Sequence, residues 1–341
     1  EMGLLFRKGT ALEALARADT VVLDKTGTLT RGKPTLVRVL PFGLSQEEAL
    51  RLAAALERGS EHPLAKAVLE AAESLPQAQA EEVRALPGEG VEGRVEGRRL
   101  HLGGPALMER LGVPLPEEAK ALPEEGYTPL YLVEGTRLLA AFAVFDPPRP
   151  EAQEAVAALK ALGLKLVLLT GDHPAPARRV AEALGIPEVL AGVRPEGKVE
   201  AIRRLQAEGR KVVFVGDGIN DAAALAQADV GLAMGSGTDI ALEAGDVVLL
   251  TPDLRGVVNA VRLARRTLRT IYLNFFWAYA YNVVLIPVAA GALYPFTGLL
   301  LNPMLAAAAM SLSSLFVLTN SLRLRAFRPQ ALPSLNPAAS S

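Results

Sequence analysis

The sequence predicts an α/β protein: a parallel sheet covered by helices, interrupted by a second domain and followed by two apolar helices. Short apolar runs alternate with helical patterns, which favours a parallel sheet with helices on both faces. The runs are TVVLD from Thr20, LKLVLLTGD from Leu164, KVVFVGDG from Lys211, ADVGLAMG from Ala228 and DVVLL from Asp246. A long segment separates the first run from the others, and positions 270–322 contain no acidic or basic residue.

The composition limits the classes of protein to be considered. A chain of 341 residues is expected to form two or more compact units. The net charge of −1 gives no reason to expect nucleic acid as a partner, and the absence of cysteine excludes disulfides and thiolate metal sites. The N-terminus lacks the pattern of a signal peptide and resembles a helix start with Thr10 as cap. We therefore expect a fragment of a longer protein.

The segment between the first strand and the next predicts an inserted domain. Residues 32–143 contain strand-like pieces, such as VEGRVEGRRLHL and PLYLVEGTRLLAAFAVF, and helical patterns, such as SQEEALRLAAALERG. The prolines of FDPPRP, which begins at Phe145, favour extended or turn conformations and mark the return to the first domain.

The uncharged stretch predicts a transmembrane hairpin. One spanning helix needs about 20 apolar residues, so the stretch fits two helices and a connection, with turn residues in YPFTGLLLNP (294–303). Arginines flank it on both sides, which predicts that both ends face the cytoplasm. They are Arg262, Arg265, Arg266, Arg269, Arg323, Arg325 and Arg328. A helical hairpin buried in a soluble core is the alternative.

Three predicted strands end in an acidic residue: Asp24, Asp172 and Asp217. Ligands of such sheets lie beyond the carboxyl ends of the strands, so we expect these carboxylates to converge. An aspartate at a strand end is by itself more often a cap or turn residue. Neighbouring carboxylates repel one another unless a divalent cation lies between them, and Mg²⁺ suits carboxylate and phosphate oxygens. Lys198 is able to bring a positive charge to a phosphate.

The residues around these carboxylates favour phosphoryl transfer. In the turn after Asp24, threonine hydroxyls, Gly27 and backbone N–H groups are able to cradle an anion. Polar residues also follow the other two strands. The candidates are Thr26, Thr28, Thr170, Gly171, Asn220 and Asp221. We predict phosphoryl transfer with Asp24 as the covalent acceptor.

The motifs DKTGTLT, TGD and GDGINDAAALAQADVGLAMGSGTD resemble those of the phosphorylation domain of P-type ATPases, in the haloacid dehalogenase superfamily. The resemblance implies a haloacid-dehalogenase-like, Rossmann-type parallel sheet domain with an inserted α+β nucleotide-binding domain. It implies that ATP phosphorylates Asp24 and that Asp24, the Thr26 carbonyl and Asp217 bind Mg²⁺. The implied catalytic set is Asp24, Thr26, Thr28, Thr170, Gly171, Asp172, Lys198, Asn220 and Asp221. Many phosphatases of the superfamily carry an acid where Thr26 stands, so we expect a persistent phosphoaspartate.

The insert carries two patterns that resemble the nucleotide site of heavy-metal pumps. ERGSEHPLAKAV resembles the Ser-Glu-His-Pro signature, which implies that Glu57 and His62 lie by the nucleotide. LPGEGVEG resembles the glycine loop and indicates Gly88 and Gly90. As bare patterns, a lone histidine is usually structural and a Gly-x-Gly after proline is usually a turn. Two further histidines, His101 and His173, are interpreted as surface or local hydrogen-bonding residues.

The predicted membrane helices resemble the last two of copper(I)/silver-transporting P-type ATPases. Met310 and Ser314 are four residues apart and share a helical face, and a thioether favours Cu⁺. WAYAYN followed by MSLSS carries the resemblance, which implies that Tyr281, Asn282, Met310 and Ser314 bind Cu⁺. Zinc, cadmium and lead pumps carry a lysine and an aspartate in these helices, and neither is present. Interhelical hydrogen bonds and methionine packing are the alternative.

The combined prediction is the C-terminal portion of an ATP-driven copper(I) exporter in the plasma membrane, with its soluble domains in the cytoplasm. The expected ligands and partners are ATP, Mg²⁺, Cu⁺ or Ag⁺, membrane lipid, the missing N-terminal part of the pump and, as a candidate copper donor, a chaperone. No Cys-Pro-Cys or Thr-Gly-Glu motif is present. The alternatives are a membrane-anchored phosphatase of the same superfamily and a nucleotide-binding regulatory protein.

The predicted domains follow one another along the chain. They are a linker helix (1–18), the phosphorylation domain (19–31 and 144–255), the nucleotide-binding domain (32–143), an amphipathic connector (256–270), the transmembrane hairpin (271–322) and a tail (323–341), whose Pro- and Ala-rich end is predicted to be disordered.

Overall fold

A computed structural model describes residues 3–218, 221–235, 245–289 and 303–323. The chain divides into two compact units. The first unit comprises Glu1–Val21, Ala158–Leu164 and Ile202–Ser341, and the second comprises Val22–Ala157 and Lys165–Ala201. The domain boundaries given above divide the chain differently and stay a prediction.

The helices of the described residues are α1 (Gly9–Arg17), α2 (Gln46–Glu57), α3 (Pro63–Ala71), α4 (Pro105–Leu111), α5 (Glu117–Lys120), α6 (Ala152–Ala161), α7 (Pro174–Leu184), α8 (Lys198–Ala207), α9 (Ala222–Gln227), α10 (Arg255–Ala289) and α11 (Pro303–Leu322). The strands are β1 (Leu4–Phe6), β2 (Thr20–Asp24), β3 (Thr35–Pro41), β4 (Ala80–Leu86), β5 (Gly90–Val95), β6 (Arg98–Gly103), β7 (Thr128–Glu134), β8 (Arg137–Phe145), β9 (Lys165–Leu169), β10 (Glu188–Leu190), β11 (Val212–Gly216), β12 (Val230–Met234) and β13 (Val247–Leu249).

The first unit contains three of the predicted strands, β11, β12 and β13. Strand β12 pairs with β11 and with β13 in parallel, while β1 pairs with β13 in antiparallel orientation. All residues of β11, β12 and β13 are buried, because a parallel sheet covered on both faces takes up continuous apolar runs. The start of α10 also belongs to this core, since Val257, Val258 and Val261 are buried.

The second unit contains a six-stranded antiparallel sheet in the order β3-β8-β7-β6-β5-β4. Helices α2 and α3 pack on one face over an apolar cluster that includes Leu52, Leu56 and Phe142. A second cluster, with Leu107, Met108 and Tyr131, includes residues of α4 and α5. Strands β9 and β10, which pair in parallel, complete the unit. The prediction of an α/β fold with parallel pairing is confirmed. Residues 32–143 contain both strands and helices, and their forming a separate inserted domain stays a prediction.

The described residues of the C-terminal apolar region form two helices. Helix α10 runs without a break through position 270, where the sequence predicted a connector to end, and α11 begins at Pro303. No helix among the described residues combines the length and the hydropathy that crossing a membrane requires. The transmembrane hairpin therefore stays a prediction.

Candidate active site

Asp24 is the last residue of β2, and its side chain is buried. The chain then makes a tight turn over Lys25–Leu29, in which the Thr30 N–H donates to the Lys25 carbonyl oxygen at 3.0 Å. Gly27 has φ 80°, in the left-handed region that glycine adopts without steric cost. The residues of DKTGT thus form a turn that places the Asp24 carboxylate at the end of a strand.

Lys198 is the residue that faces Asp24. It begins α8, directly after a turn over Pro195–Gly197, and its Nζ lies 3.2 Å from Asp24 Oδ2. Both side chains are largely shielded from water, with 14% and 6% exposed. Withdrawing two charges from water is costly, so a buried ion pair of this kind is weak evidence for stability. The pair does place the positive charge of Lys198 next to the Asp24 carboxylate.

The turn after β9 holds the next predicted group. The buried Thr170 accepts a hydrogen bond from the Asp172 N–H through Oγ1 at 3.1 Å, and its carbonyl accepts from the Val193 N–H at 3.0 Å. Asp172 forms an ion pair with Lys25. A side chain at Gly171 would approach the Val193 carbonyl oxygen to 3.3 Å, so the small residue keeps this turn close to its neighbour.

Sequence reasoning missed two residues that hold the turn after β2. The Arg149 guanidinium donates to the Thr28 carbonyl at 2.8 Å and to the Gly27 carbonyl at 3.3 Å. Asp146 accepts a hydrogen bond from Thr30 Oγ1 at 2.7 Å. Both belong to FDPPRP, which was interpreted only as a boundary. The presence of two charged residues among the prolines of this segment is the sequence signal that could have indicated their role.

Near these turns the second unit contains a cavity of about 690 Å³. All four residues predicted to contact the nucleotide line it: Glu57, His62, Gly88 and Gly90. Lys25, Gly171 and Asp172 also line it, as does His173, which was interpreted from the sequence as a surface or local hydrogen-bonding residue. A volume of this size is within the range of small-molecule sites. His101 does not line the cavity and instead pairs with Glu92 at 2.9 Å.

The glycine loop shapes one wall of the cavity. At Gly90, where φ is 154°, a Cβ atom would lie 2.0 Å from the Leu102 carbonyl oxygen. At Gly88, φ is 73° and a Cβ would meet no atom within 4 Å. Gly90 is therefore required by a close approach between strands, whereas Gly88 is required only by its backbone conformation.

Glu57 and His62 reach the cavity from α2 and α3. Glu57 is buried at the end of α2, and burial raises the pKa of its carboxyl to about 6. His62 caps α3, with Nδ1 accepting from the Leu64 N–H at 3.2 Å. In the neutral ring the proton is then on Nε2, which leaves an N–H donor for a ligand. A perturbed carboxyl and a histidine donor in one cavity are typical of a binding site.

The remaining residues of the predicted catalytic and magnesium sites are described by the elements on which they lie. Asp217 follows β11 in the first unit, and the buried Asp221 precedes α9, with its Oδ2 only 2.8 Å from the Cβ that a side chain at Gly216 would have. Thr26 is exposed, whereas Thr28 is buried and its hydroxyl has no hydrogen-bond partner among the described residues. Asn220 lies outside the described residues.

The four predicted copper ligands belong to the two C-terminal helices. Tyr281 and Asn282 lie on α10, and Met310 and Ser314 lie on α11. Tyr281 is half-buried, while Asn282 and Ser314 are exposed. The side chain of Met310 is outside the described residues.

Residues 18–229 match the family model of the haloacid dehalogenase-like hydrolases. The chain belongs to this family. The match runs from the strand that ends in Asp24 through Lys198 to the start of β12.

Two solved structures and one curated relative resemble this haloacid dehalogenase-like hydrolase closely. Copper-transporting ATPase 1 of Rhizobium meliloti (strain 1021) is 50% identical over 335 residues, covering 96% of the chain and 41% of the relative. A zinc-transporting PIB-type ATPase in its E2.Pi state is 39% identical with a TM-score of 0.76, covering 94% of the chain and 52% of that structure. The catalytic domain of the CPx-ATPase CopB-B is 29% identical with a TM-score of 0.63, covering 76% of the chain and 96% of that structure. The chain spans less than half the length of the curated relative.

Proposed function

We propose that this hydrolase-family chain is the catalytic portion of an ATP-driven copper(I) exporter. The observation that carries the proposal is a single cavity lined by Glu57, His62 and Gly90 and also by Lys25 and Asp172. The histidine and glycine residues suit a nucleotide base, and Lys25 suits phosphates. The identity to a copper-transporting ATPase over nearly the whole chain supports the same function.

The proposed reaction transfers the γ-phosphoryl group of ATP to Asp24. A carboxylate oxygen of Asp24 forms a bond to the γ-phosphorus while the bond to the bridging oxygen of ADP breaks. The products are an acyl phosphate and ADP, and water later hydrolyses the acyl phosphate to inorganic phosphate. Lys198, 3.2 Å from Asp24, offsets negative charge as the two anions approach, which is the main demand of phosphoryl transfer.

Other residues of the second unit position the phosphates and the base. The turn after β9 is held by the Asp172 N–H, which donates to Thr170 Oγ1, and Asp172 pairs with Lys25; we assign this turn and Lys25 to the phosphates. We assign the Nε2–H of His62 to a hydrogen bond with the nucleotide. Gly90 preserves this wall of the cavity, because any side chain there would collide with the Leu102 carbonyl oxygen.

Magnesium fits the donor set near Asp24. A carboxylate and a backbone carbonyl are hard oxygen ligands, which Mg²⁺ prefers together with phosphate oxygens. Asp24 and the Thr26 carbonyl would hold the ion, and Asp217 is its third ligand in the sequence prediction. When bound, the ion neutralises phosphate charge.

Copper(I) is the cargo we propose, on chemical grounds. Positions 270–322 carry no lysine or aspartate, so the charged residues expected of zinc pumps are missing. The thioether of Met310 favours a soft monovalent ion, and Tyr281, Asn282 and Ser314 add only uncharged groups to the set. Silver(I) shares this chemistry.

A membrane location agrees with the surface of α10. From Ile271 to Ile286, large apolar side chains are exposed on several sides of the helix; they include Phe275, Phe276 and Val284. A contiguous apolar surface of this kind indicates contact with lipid or with other helices.

Acid-stable labelling tests the proposal. With [γ-³²P]ATP and Mg²⁺, we expect a hydroxylamine-labile label on the chain, which is lost in Asp24→Asn and kept in the matched control Asp19→Asn. Labelling of Asp24→Asn would refute the assignment of the acceptor. Rapid hydrolysis of small phosphomonoesters without ATP-dependent labelling would instead favour the phosphatase.

A further inference from the structure

Three polar side chains join α10 to α11. Asn274 Nδ2 donates to Ser321 Oγ at 2.8 Å, and Asn320 Nδ2 donates to Asn274 Oδ1 at 2.6 Å. Asn320 Nδ2 also approaches the Thr270 carbonyl oxygen at 3.3 Å. We propose that this group, the amide clamp (Asn274, Asn320 and Ser321), fixes the register of α10 against α11 and thereby positions the copper ligands. The second part rests on the proposed function.

The clamp fixes a register because its surroundings are apolar. Its neighbours along the two helices include the apolar, exposed Phe275, Phe276, Leu318 and Leu322, which make no directional contact that a slide of one helix along the other would break. The amides resist such a slide, because it separates each donor from its acceptor and leaves a polar group unpaired in apolar surroundings. A single asparagine sets the register of coiled coils in the same way.

The clamp lies at a defined distance from the proposed ligands. Tyr281 follows Asn274 by seven residues, and Ser314 precedes Ser321 by seven. Seven residues are nearly two helical turns, so each ligand lies on the same face as its clamp residue and about 10 Å along the helix. Because the clamp joins an early part of the apolar segment of α10 to the end of α11, the two helices run in opposite directions. The register that pairs Asn274 with Ser321 therefore brings Tyr281 level with Ser314.

The clamp is a positioning device and not itself a copper site. Its oxygens are amide and hydroxyl groups, which are hard donors, and it has no sulfur. Its amide N–H groups are already donated to oxygen partners. Its effect on copper is therefore expected to pass through the helices.

Distances between spin labels test the register. The chain has no cysteine, so Tyr279→Cys and Leu318→Cys, at exposed positions of α10 and α11, place one nitroxide on each helix of the 341-residue chain in lipid nanodiscs. We expect a narrow distance distribution for this protein and a shifted or broadened one for Asn274→Leu and for Asn320→Leu. The control is Thr319→Val, because among the described residues the Thr319 hydroxyl bonds within its own helix, to the Leu315 carbonyl at 2.8 Å. Unchanged distributions in both leucine variants, with unchanged helical circular dichroism, would overturn the proposal.

A Cu⁺ titration against a chromophoric competitor tests the positioning. Interhelical hydrogen bonds in membranes are individually modest, so we expect each leucine variant to bind Cu⁺ between about threefold and about twentyfold more weakly. The double variant should be no weaker than the worse single variant if the clamp acts as a unit. Shifted distances with unchanged Cu⁺ affinity would refute the positioning role. An unmodified chain that binds no Cu⁺ would refute the proposed cargo, and the distances alone would then decide the register.

Discussion

Replacing Glu57 with glutamine should make the protein more stable at neutral pH. The carboxyl is buried at the end of α2, and burial raises its pKa from 4.5 to about 6. The folded chain therefore keeps a proton over a pH range in which the unfolded chain releases it. Stability from this group is complete below pH 4.5 and is lost as the pH rises through 6.

The size of the effect follows from the shift in pKa. A rise from 4.5 to about 6 corresponds to about 2 kcal/mol lost at neutral pH. Glutamine has nearly the same shape and does not ionise, so Glu57→Gln avoids this loss. We expect the variant to exceed the wild type in free energy of unfolding by about 2 kcal/mol at pH 7.5, and to match it at pH 4.0.

Urea unfolding followed by circular dichroism at both pH values measures the difference. The exposed Glu61, four residues along the chain, provides the control, since Glu61→Gln removes a solvated charge and should change the free energy of unfolding by less than about 0.5 kcal/mol at either pH. If Glu57→Gln differs from the wild type by the same amount at pH 4.0 and at pH 7.5, the buried-carboxyl explanation is wrong.

Three further substitutions and one control, Gly88→Ala, test the cavity and the acceptor. His62→Gln should weaken ATP binding while labelling by acetyl phosphate is largely retained, and equal loss of both would show a structural role. Gly90→Ala should weaken ATP binding and destabilise the fold by at least about 1–3 kcal/mol, because the new methyl group meets backbone, whereas Gly88→Ala, which meets only open space, should cost less in thermal unfolding. Lys198→Met removes the cation beside the buried Asp24 carboxylate, so we expect destabilisation of about 3–5 kcal/mol by urea unfolding and loss of labelling from ATP; a stable, fully labelled variant would contradict the role of the pair.

The order of strands and helices could be predicted because it follows from local patterns. Apolar runs such as residues 212–216 and 230–234 are continuous, as expected for strands buried on both faces, and the structure pairs them in parallel. The position of Asp24 at a strand end was also evident, since the run before it is apolar and β-branched. Patterns of this kind depend on neighbours in the chain, which a single sequence displays.

Contacts between residues that are far apart in the sequence could not be predicted in this way. Asp146 and Arg149 contact the turn after β2 from more than 110 positions away, and only their hydrogen bonds to Thr30 and Thr28 distinguish them from ordinary turn residues. The pairing of Lys25 with Asp172 is of the same type. Asn274 was visible as a polar residue in an apolar segment, but nothing in the sequence indicated Asn320 as its partner.

By itself the sequence determined which residues are chemically able to accept and surround a phosphoryl group, because those residues follow apolar runs that predict strands. The tertiary structure alone decided which of them meet: that Lys198 faces Asp24, that Glu57 is buried enough to hold a proton near pH 6, and that Gly90 lies against another strand. The physical reason is that charge pairing, desolvation and close approach are properties of residues distant in sequence, and they exist only once the chain has folded.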